Sequence, residues 1–321
     1  METATPEVLE LEAPIVRDPH RIWFIVGALS LLLITAVAYF LWKPPSFVAK
    51  VWSALTLPQE LRSATFITGN ATESRAYKVH SFQYSKIPYR VGSSAMFSQE
   101  GNDTLTVSQA SEEYLLEANG VEIVRSILPI ATPSQTPDSK RIVYAQAIDV
   151  MVQKPEASAL QGIIASDPLR YEIRLAIGSD GKNERIISGY APLFIDENQF
   201  IFFAYSGLYQ YDLQSGVGKI LLKKNFPVIF GPVLQSPDRS LIAFADVAKN
   251  VTYVYKIKDS QLTLVLEAPT ILARPALSNT ALYEIKGKKE VTEIWKYDFG
   301  VHDPRLIYSV PRSLNLTRIV F

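Results

Sequence analysis

The chain has 321 residues, 48% of them hydrophobic, with 32 Lys plus Arg balanced by 32 Asp plus Glu, 20 Pro, 15 Gly, three His and no Cys. That balance excludes a disordered or collagen-like chain and a disulfide scaffold, and a net charge of zero argues against nucleic acid as the main partner. The absence of Cys removes thiolate nucleophiles and Cys-ligated metals and suits an oxidising compartment without proving one.

Residues 1–21 form a short acidic tail, with Glu2, Glu7, Glu10, Glu12 and Asp18 against Arg17 and Arg21. From Ile22 to Trp42 no residue is charged, and a helix of that length spans about 30 Å, the thickness of the hydrocarbon core. Trp23 and Trp42 mark its ends, with Arg21 and Lys43 just outside, as amphipathic rings and snorkelling cations do at the headgroup level. Leu41-Trp42-Lys43-Pro44-Pro45 contains no small-residue cleavage site, so the expectation is one uncleaved transmembrane anchor. Basic residues on its two sides nearly balance, with Lys43, Lys50 and Arg62 following it, and charge alone leaves the orientation open. Residues 43–60 read as a juxtamembrane linker, in which Phe47 to Leu55 suits a short amphipathic helix lying on the membrane, capping the domain or simply packing against it.

Residues 61–321 read as strands. Thr65-Phe66-Ile67 and Ala76 to Phe82 come first, and an internal repeat follows. Thr136-Pro137-Asp138-Ser139-Lys140-Arg141-Ile142-Val143-Tyr144-Ala145 aligns without gaps on Ser236-Pro237-Asp238-Arg239-Ser240-Leu241-Ile242-Ala243-Phe244-Ala245. The segment from Asp196 to Ala204 aligns on the second copy without its Pro. A Pro-Asp pair suits a tight turn because Pro presets φ and Asp bonds nearby backbone, and the near-continuous apolar run after it suits a strand buried on both faces. An aromatic, alternating strand with a polar turn follows in five copies, at Tyr114, Tyr171, Leu208, Thr252 and Glu293. Asn119-Gly120 and Asp180-Gly181 are hairpin turns of the kind that require positive φ.

Four strands per repeat make a propeller blade. The Ser/Thr-Pro-Asp-x-x-x-Ile-x-Phe/Tyr-Ala copies with their Tyr-x-Tyr strands resemble the WD40-like blades of TolB-type propellers, and are similar to the propeller domain of dipeptidyl-peptidase-like proteins. The resemblance covers most of residues 93–321. Blades are expected to start near Ser93, Pro129, Tyr190, Phe230 and Ala273. The last strand, Leu314 to Phe321, joins the early strands in a sixth, composite blade that closes the ring and removes free sheet edges. The fold class is therefore all-β, a six-bladed propeller behind one N-terminal transmembrane helix, and Pro137, Asp138, Asp196, Pro237 and Asp238 are structural blade-motif residues. Residues 152–170 read as an insertion between inner and outer strands of the second full blade, a functional loop or simply a variable one.

Catalytic chemistry is hard to find. There is no Gly-x-Ser-x-Gly elbow, His20 precedes the span, and His80 and His302 are scattered, so neither a hydrolase triad nor a metal site is indicated. No cofactor motif is present either, and no peptidase domain carries a triad onto this chain. Glu112-Glu113 and Asp196-Glu197 are read as solvated turns, and Lys286-Gly287-Lys288-Lys289 as a basic hairpin. Sequons at Asn70, Asn102, Asn250 and Asn315 are weak signals. The reading is a non-catalytic propeller that binds a protein or peptide in an envelope assembly, with no nucleic acid involved. The resemblance implies an N-in, C-out, extracytoplasmic placement. The alternatives are a propeller enzyme of lyase or glycosidase type with acids in its central channel, and a ligand sensor. Three or more charged side chains at one channel mouth would favour the enzyme, and an apolar channel the scaffold.

Overall fold

From Thr65 on, the described strands fall into six sheets in which neighbouring strands pair antiparallel. The computed structural model describes residues 57–69, 74–78, 83–87, 94–97, 104–110, 112–149, 165–177, 182–301 and 303–321, and one compact unit runs from Leu57 to Phe321. The acidic tail, the Ile22 to Trp42 span with Arg21, Trp23, Trp42 and Lys43, and the Phe47 to Leu55 segment lie outside the described residues. So do His80, His302 and most of the insertion. No helix among the described residues is long and apolar enough to cross a membrane.

The strands are β1 (Thr65–Gly69), β2 (Ser74–Lys78) and β3 (Gln83–Ile87); β4 (Ser94–Phe97), β5 (Thr104–Ala110), β6 (Glu113–Ala118) and β7 (Val121–Ser126); and β8 (Ile130–Gln135), β9 (Arg141–Ala147), a two-residue β10 (Ala165–Ser166), β11 (Tyr171–Ile177) and β12 (Lys182–Ser188). There follow β13 (Tyr190–Phe194), β14 (Gln199–Ala204), β15 (Gly207–Asp212) and β16 (Val217–Lys223); β17 (Ile229–Gln235), β18 (Leu241–Asp246), β19 (Val251–Lys258) and β20 (Gln261–Ala268); and β21 (Pro275–Leu277), β22 (Ala281–Gly287), β23 (Val291–Asp298), β24 (Arg305–Pro311) and β25 (Leu316–Val320). Blade I has the order β25-β1-β2-β3, and blades II to VI begin at β4, β8, β13, β17 and β21. These starts fall within two residues of the sequence expectation, and the composite blade forms as expected. The fold is a six-bladed β-propeller.

The second strand of a blade is covered on both faces by its neighbours, which is why it is apolar throughout. In β9 every residue after Arg141 is buried, in β14 Phe200 to Phe203 are, and in β18 Leu241 to Phe244 are. Val143, Ile173 and Leu175 of blade III meet Phe194, Phe200 and Phe202 of blade IV, one of several such seams.

The turn motif has the same geometry in both good copies. Thr136 Oγ1 donates to Asp138 Oδ1 at 2.6 Å, the Lys140 N–H donates to that oxygen at 3.1 Å, and the Arg141 N–H donates to Thr136 Oγ1 at 3.1 Å. In blade V, Ser236 Oγ donates to Asp238 Oδ1 at 2.6 Å, the Ser240 N–H follows at 3.0 Å, and the Leu241 N–H donates to Ser236 Oγ at 2.9 Å. Turns also lock neighbouring blades: Glu197 accepts from the Asp138 N–H and Asn279 from the Asp238 N–H, each at 3.1 Å. The Ser139 and Arg239 positions have φ of 58° and 61°.

A second repeated device went unnoticed in the sequence. Each innermost strand of blades III, IV and V shifts register at a residue with positive φ that precedes a proline: Thr132-Pro133, Ala191-Pro192 and Gly231-Pro232, with φ of 45°, 51° and 70°. Proline gives up a ladder N–H without cost at such a bulge. At Thr132 the bulge also buries a hydroxyl, Oγ1, with no hydrogen-bond partner. Substituting the residue that blade V uses there, Thr132→Gly, removes a left-handed strain of about 1–2 kcal/mol and an unsatisfied hydroxyl, against a glycine entropy cost of about 1 kcal/mol. The urea midpoint should rise by the equivalent of about 1 kcal/mol, and a fall would show that Thr132 is held there for another reason.

Candidate functional site

In each blade the connections after the second and fourth strands lie at one end of the ring, and the Pro-Asp turns after the first strand lie at the other, because the four strands meander antiparallel. The central channel narrows to a cavity of about 110 Å³ toward the turn end. Its walls come from the innermost strands: Ser134 and Gln135 of β8, Leu193 of β13, Val233 to Gln235 of β17, Ala276 and Leu277 of β21, and Arg318 to Val320 of β25. Arg239 from the blade V turn and Phe321 complete it.

Polar links run around the wall. The Phe194 N–H donates to Ser134 Oγ at 3.1 Å, and Gln235 Nε2 donates to the Phe194 carbonyl at 2.8 Å, which joins three innermost strands. Gln135 Nε2 donates to Ser139 Oγ at 3.3 Å. Arg239 and Arg318 are the charged side chains on the wall, and no Asp or Glu is among the described lining residues. Both guanidiniums are half-buried and engage neighbours. Burial desolvates the Arg318 guanidinium and lowers its pKa.

The opposite end of the ring has a different character. Of the large apolar side chains left exposed among the described residues, Ile127, Ile148, Leu169, Tyr205, Val228, Val247 and Leu314 all sit on its connections. The others lie at the outer rim, on fourth strands and the hairpins that lead to them, and none is on a Pro-Asp turn. The insertion returns here. Its β10 pairs with β17 through Ala165↔Phe230 and Ser166↔Ile229, so a segment that leaves blade III adds a strand to the channel-side edge of blade V. At the same end of the ring, Lys224 ion-pairs with the buried Asp246 and lies 5.4 Å from the Tyr253 ring centroid.

The turn residues Pro137, Asp138, Asp196, Pro237 and Asp238 are brought to the cavity's end of the ring without lining it. Asp196 accepts from the N–H groups of Asn198 and Gln199, at 2.7 and 2.8 Å. Glu113 pairs with the exposed Arg125 at 2.7 Å, and Lys286 with Glu284 at 2.9 Å. Among the described residues no group of three His, Cys, Asp or Glu gathers to hold a metal ion. Sequence reasoning missed the two cavity arginines. The signal was present: Arg239 stands where the aligned blade III copy has Ser139, and Arg318 interrupts an apolar strand.

Burial acts to raise the pKa of Asp238, but the Ser236 hydroxyl and the Ser240 N–H and hydroxyl outweigh it and hold the carboxyl below its ordinary value. A carboxylate with a lowered folded pKa contributes stability that is present above the unfolded value, about 3.9, and is lost as pH falls through the folded value. Between about pH 5 and pH 3 the wild type should lose more stability than Asp238→Asn, measured by urea midpoints, and parallel curves would refute this reading.

No protein-family model matches the sequence. No curated protein matches it. Solved structures do match. TolB from Acinetobacter baumannii superposes with a TM-score of 0.56 at 15% identity, over 84% of this chain and 68% of that one. The chain shares the β-propeller fold. The Cps50 (Swd1) β-propeller domain of Myceliophteria thermophila matches with a TM-score of 0.51 at 10% identity, over 79% of this chain and 84% of that one. A chain of a nidogen/laminin complex matches with a TM-score of 0.51 at 8% identity, over 80% and 96%. At these identities the likeness is one of fold, and function rests on the surfaces of this chain.

Proposed function

We propose that the protein is a single-pass, membrane-anchored, non-catalytic propeller, oriented N-in and C-out, that holds a protein or peptide partner outside the cytoplasm. The observation that carries the reading is the ring end where five blades contribute exposed apolar side chains. Isolated exposed apolar residues need no explanation, but their collection on one end of a rigid ring suits a recognition surface. The cavity supports the same reading. Among the described lining residues the charged side chains are Arg239 and Arg318, and none is an Asp or Glu. The uncharged Ile22 to Trp42 stretch supports the anchor.

Two measurements test the proposal. Full-length protein should remain in membranes after alkaline extraction, and deletion of residues 22–42 should release a soluble, folded ring; release of the intact chain, or an unfolded deletion product, would sink the anchor. Affinity purification from detergent-solubilised native membranes should recover a stoichiometric partner. Leu169→Glu combined with Tyr205→Glu, both exposed positions, should weaken that recovery at least about tenfold while leaving the melting temperature unchanged. Undiminished recovery would move the partner off this end of the ring.

A further inference from the structure

We propose that Glu197 makes the junction between blades III and IV a proton-operated lock. As a neutral acid it bridges the two turns through both of its oxygens; as a carboxylate it holds them by one and faces a second negative charge. The device lies at the turn end of the ring and does not depend on the partner surface. Its first support is a break in the repeat. The Pro-Asp turns of blades III and V are built alike, and each offers the N–H of its Asp to the turn of the next blade. In blade VI the acceptor is Asn279 Oδ1, the oxygen of a neutral amide. In blade IV it is Glu197 Oε1, the oxygen of an ionisable group, at the same 3.1 Å. A neutral acceptor therefore suffices for this junction, and the architecture does not require an acid there.

The second support is the other oxygen. Glu197 Oε2 is buried and accepts no hydrogen bond, a costly state for a charged acceptor. The Asp138 side chain across the seam is already engaged in its own turn. Its Oδ1 accepts from the Thr136 hydroxyl and the Lys140 N–H, and its Oδ2 lies 3.3 Å from Lys140 Nζ. Two ionised carboxyls are acceptors only, so neither satisfies the other; one proton between them supplies the missing donor. The other charged groups of the described turns meeting here are Lys140 and Arg141 of blade III and Asp196 and Asp212 of blade IV. Arg141 donates to Asn198 Oδ1 at 3.3 Å, Asp196 accepts from the Asn198 and Gln199 N–H groups, and Asp212 accepts from Gln199 Nε2 at 3.0 Å. None of them donates to Glu197 Oε2.

The electrostatics agree with this geometry. Burial first, and then the Asp138 carboxyl, raise the Glu197 pKa against the opposing charge of Arg141. The Thr136 hydroxyl and the Lys140 N–H hold Asp138 below its ordinary value. The two carboxyls titrate as a pair, and the proton that the pair keeps longest sits on Glu197. A carboxyl whose folded pKa is raised burdens the folded state while it is charged. The burden is full above the folded value and is relieved as pH falls from there toward the unfolded value, about 4.3. Its sign is opposite to that of Asp238, so one ring carries a junction that tightens on mild acidification and a turn that weakens.

The test follows urea unfolding of the full chain in detergent at about pH 7.5 and about pH 4.5. Glu197→Gln keeps the oxygen that accepts from Asp138 and puts an amide donor where the acid carries its proton, the chemistry that Asn279 already supplies in blade VI. At the higher pH it should lower the unfolding equilibrium constant at least about threefold relative to wild type, and this gain should shrink by half or more at the lower pH. The Asp238 contribution is common to both proteins and cancels. In an Asp138→Asn background, where Glu197 faces no second charge, the same substitution should lose at least half of its gain at the higher pH. No gain at the higher pH, an equal gain at both, or the full gain retained beside Asp138→Asn overturns the lock.

Discussion

Ile319→Asp should unfold the ring or bring it close to unfolding, with a loss of at least about 4 kcal/mol in urea denaturation. β25 closes the propeller. It pairs with β1 through Thr65↔Val320, Phe66↔Ile319, Ile67↔Arg318 and Thr68↔Leu316, and the Thr317 hydroxyl donates to the Ile67 carbonyl at 3.0 Å across 250 residues of sequence. Ile319 is 2% exposed and packs with Leu57, Leu61, Ala276, Tyr283 and Val310, which belong to the entry segment and blade VI. One side chain thus joins the first described residues, the last strand and the neighbouring blade. Truncation to alanine removes the packing at about 2–5 kcal/mol, and a carboxylate adds an unpaired charge in the same space. Thr317→Ala, which removes the single hydroxyl bond on that strand, should cost about 1 kcal/mol and marks the scale of a local defect. If Ile319→Asp costs no more than Thr317→Ala, the two chain ends do not hold the ring together.

That closure was legible in the sequence because unassigned strands remained at both ends once five blades had been counted. Periodicity exposed the rest of the skeleton in the same way: β9, β14 and β18 are apolar throughout because both faces are covered, and Asn119 and Gly120 take φ of 52° and 78° in the hairpin their identities imply. The turns were readable because Pro-Asp geometry is local. What escaped was set by positions that converge only after folding. Gln135, the Gln235–Arg239 turn and Arg318 are far apart in the chain and come together because innermost strands share one axis. Leu169, Tyr205 and Leu314 are unremarkable alone and acquire meaning because all three fall on one end of the ring. The sequence places the start of the domain at residue 61, whereas Leu57 is already buried at 4% exposure, because so short an apolar segment has no period to detect. Glu60 also ties this segment to blade VI: Lys296, which is buried, lies 3.4 Å from Glu60 and 2.8 Å from Asp298.

Phe244→Ala is the second large effect, at about 3–5 kcal/mol, because it empties the junction between blades IV and V. Phe244 is 1% exposed. Its ring meets Phe203 of β14 edge-on at 5.1 Å and Phe226 of the β16–β17 connection at 5.7 Å, and stacks on Tyr255 at 5.7 Å. Phe203 and Phe226 complete the triangle at 5.1 Å, nearly perpendicular. Edge-to-face pairs contribute about 0.5–1.5 kcal/mol beyond area burial, so Phe203→Leu and Phe244→Leu together should show coupling of that size in a double-mutant cycle. The consequence extends to recognition. Phe226 comes from the connection that carries Val228 and Lys224, and Lys224 holds Asp246 and covers Tyr253. Loosening the triangle should therefore raise amide exchange in residues 224–228 and 247–250 and weaken partner recovery, even in solvent where the ring stays folded. Additive Phe203 and Phe244 effects, with exchange in those connections unchanged, would show that the loop end is positioned independently of the core beneath it.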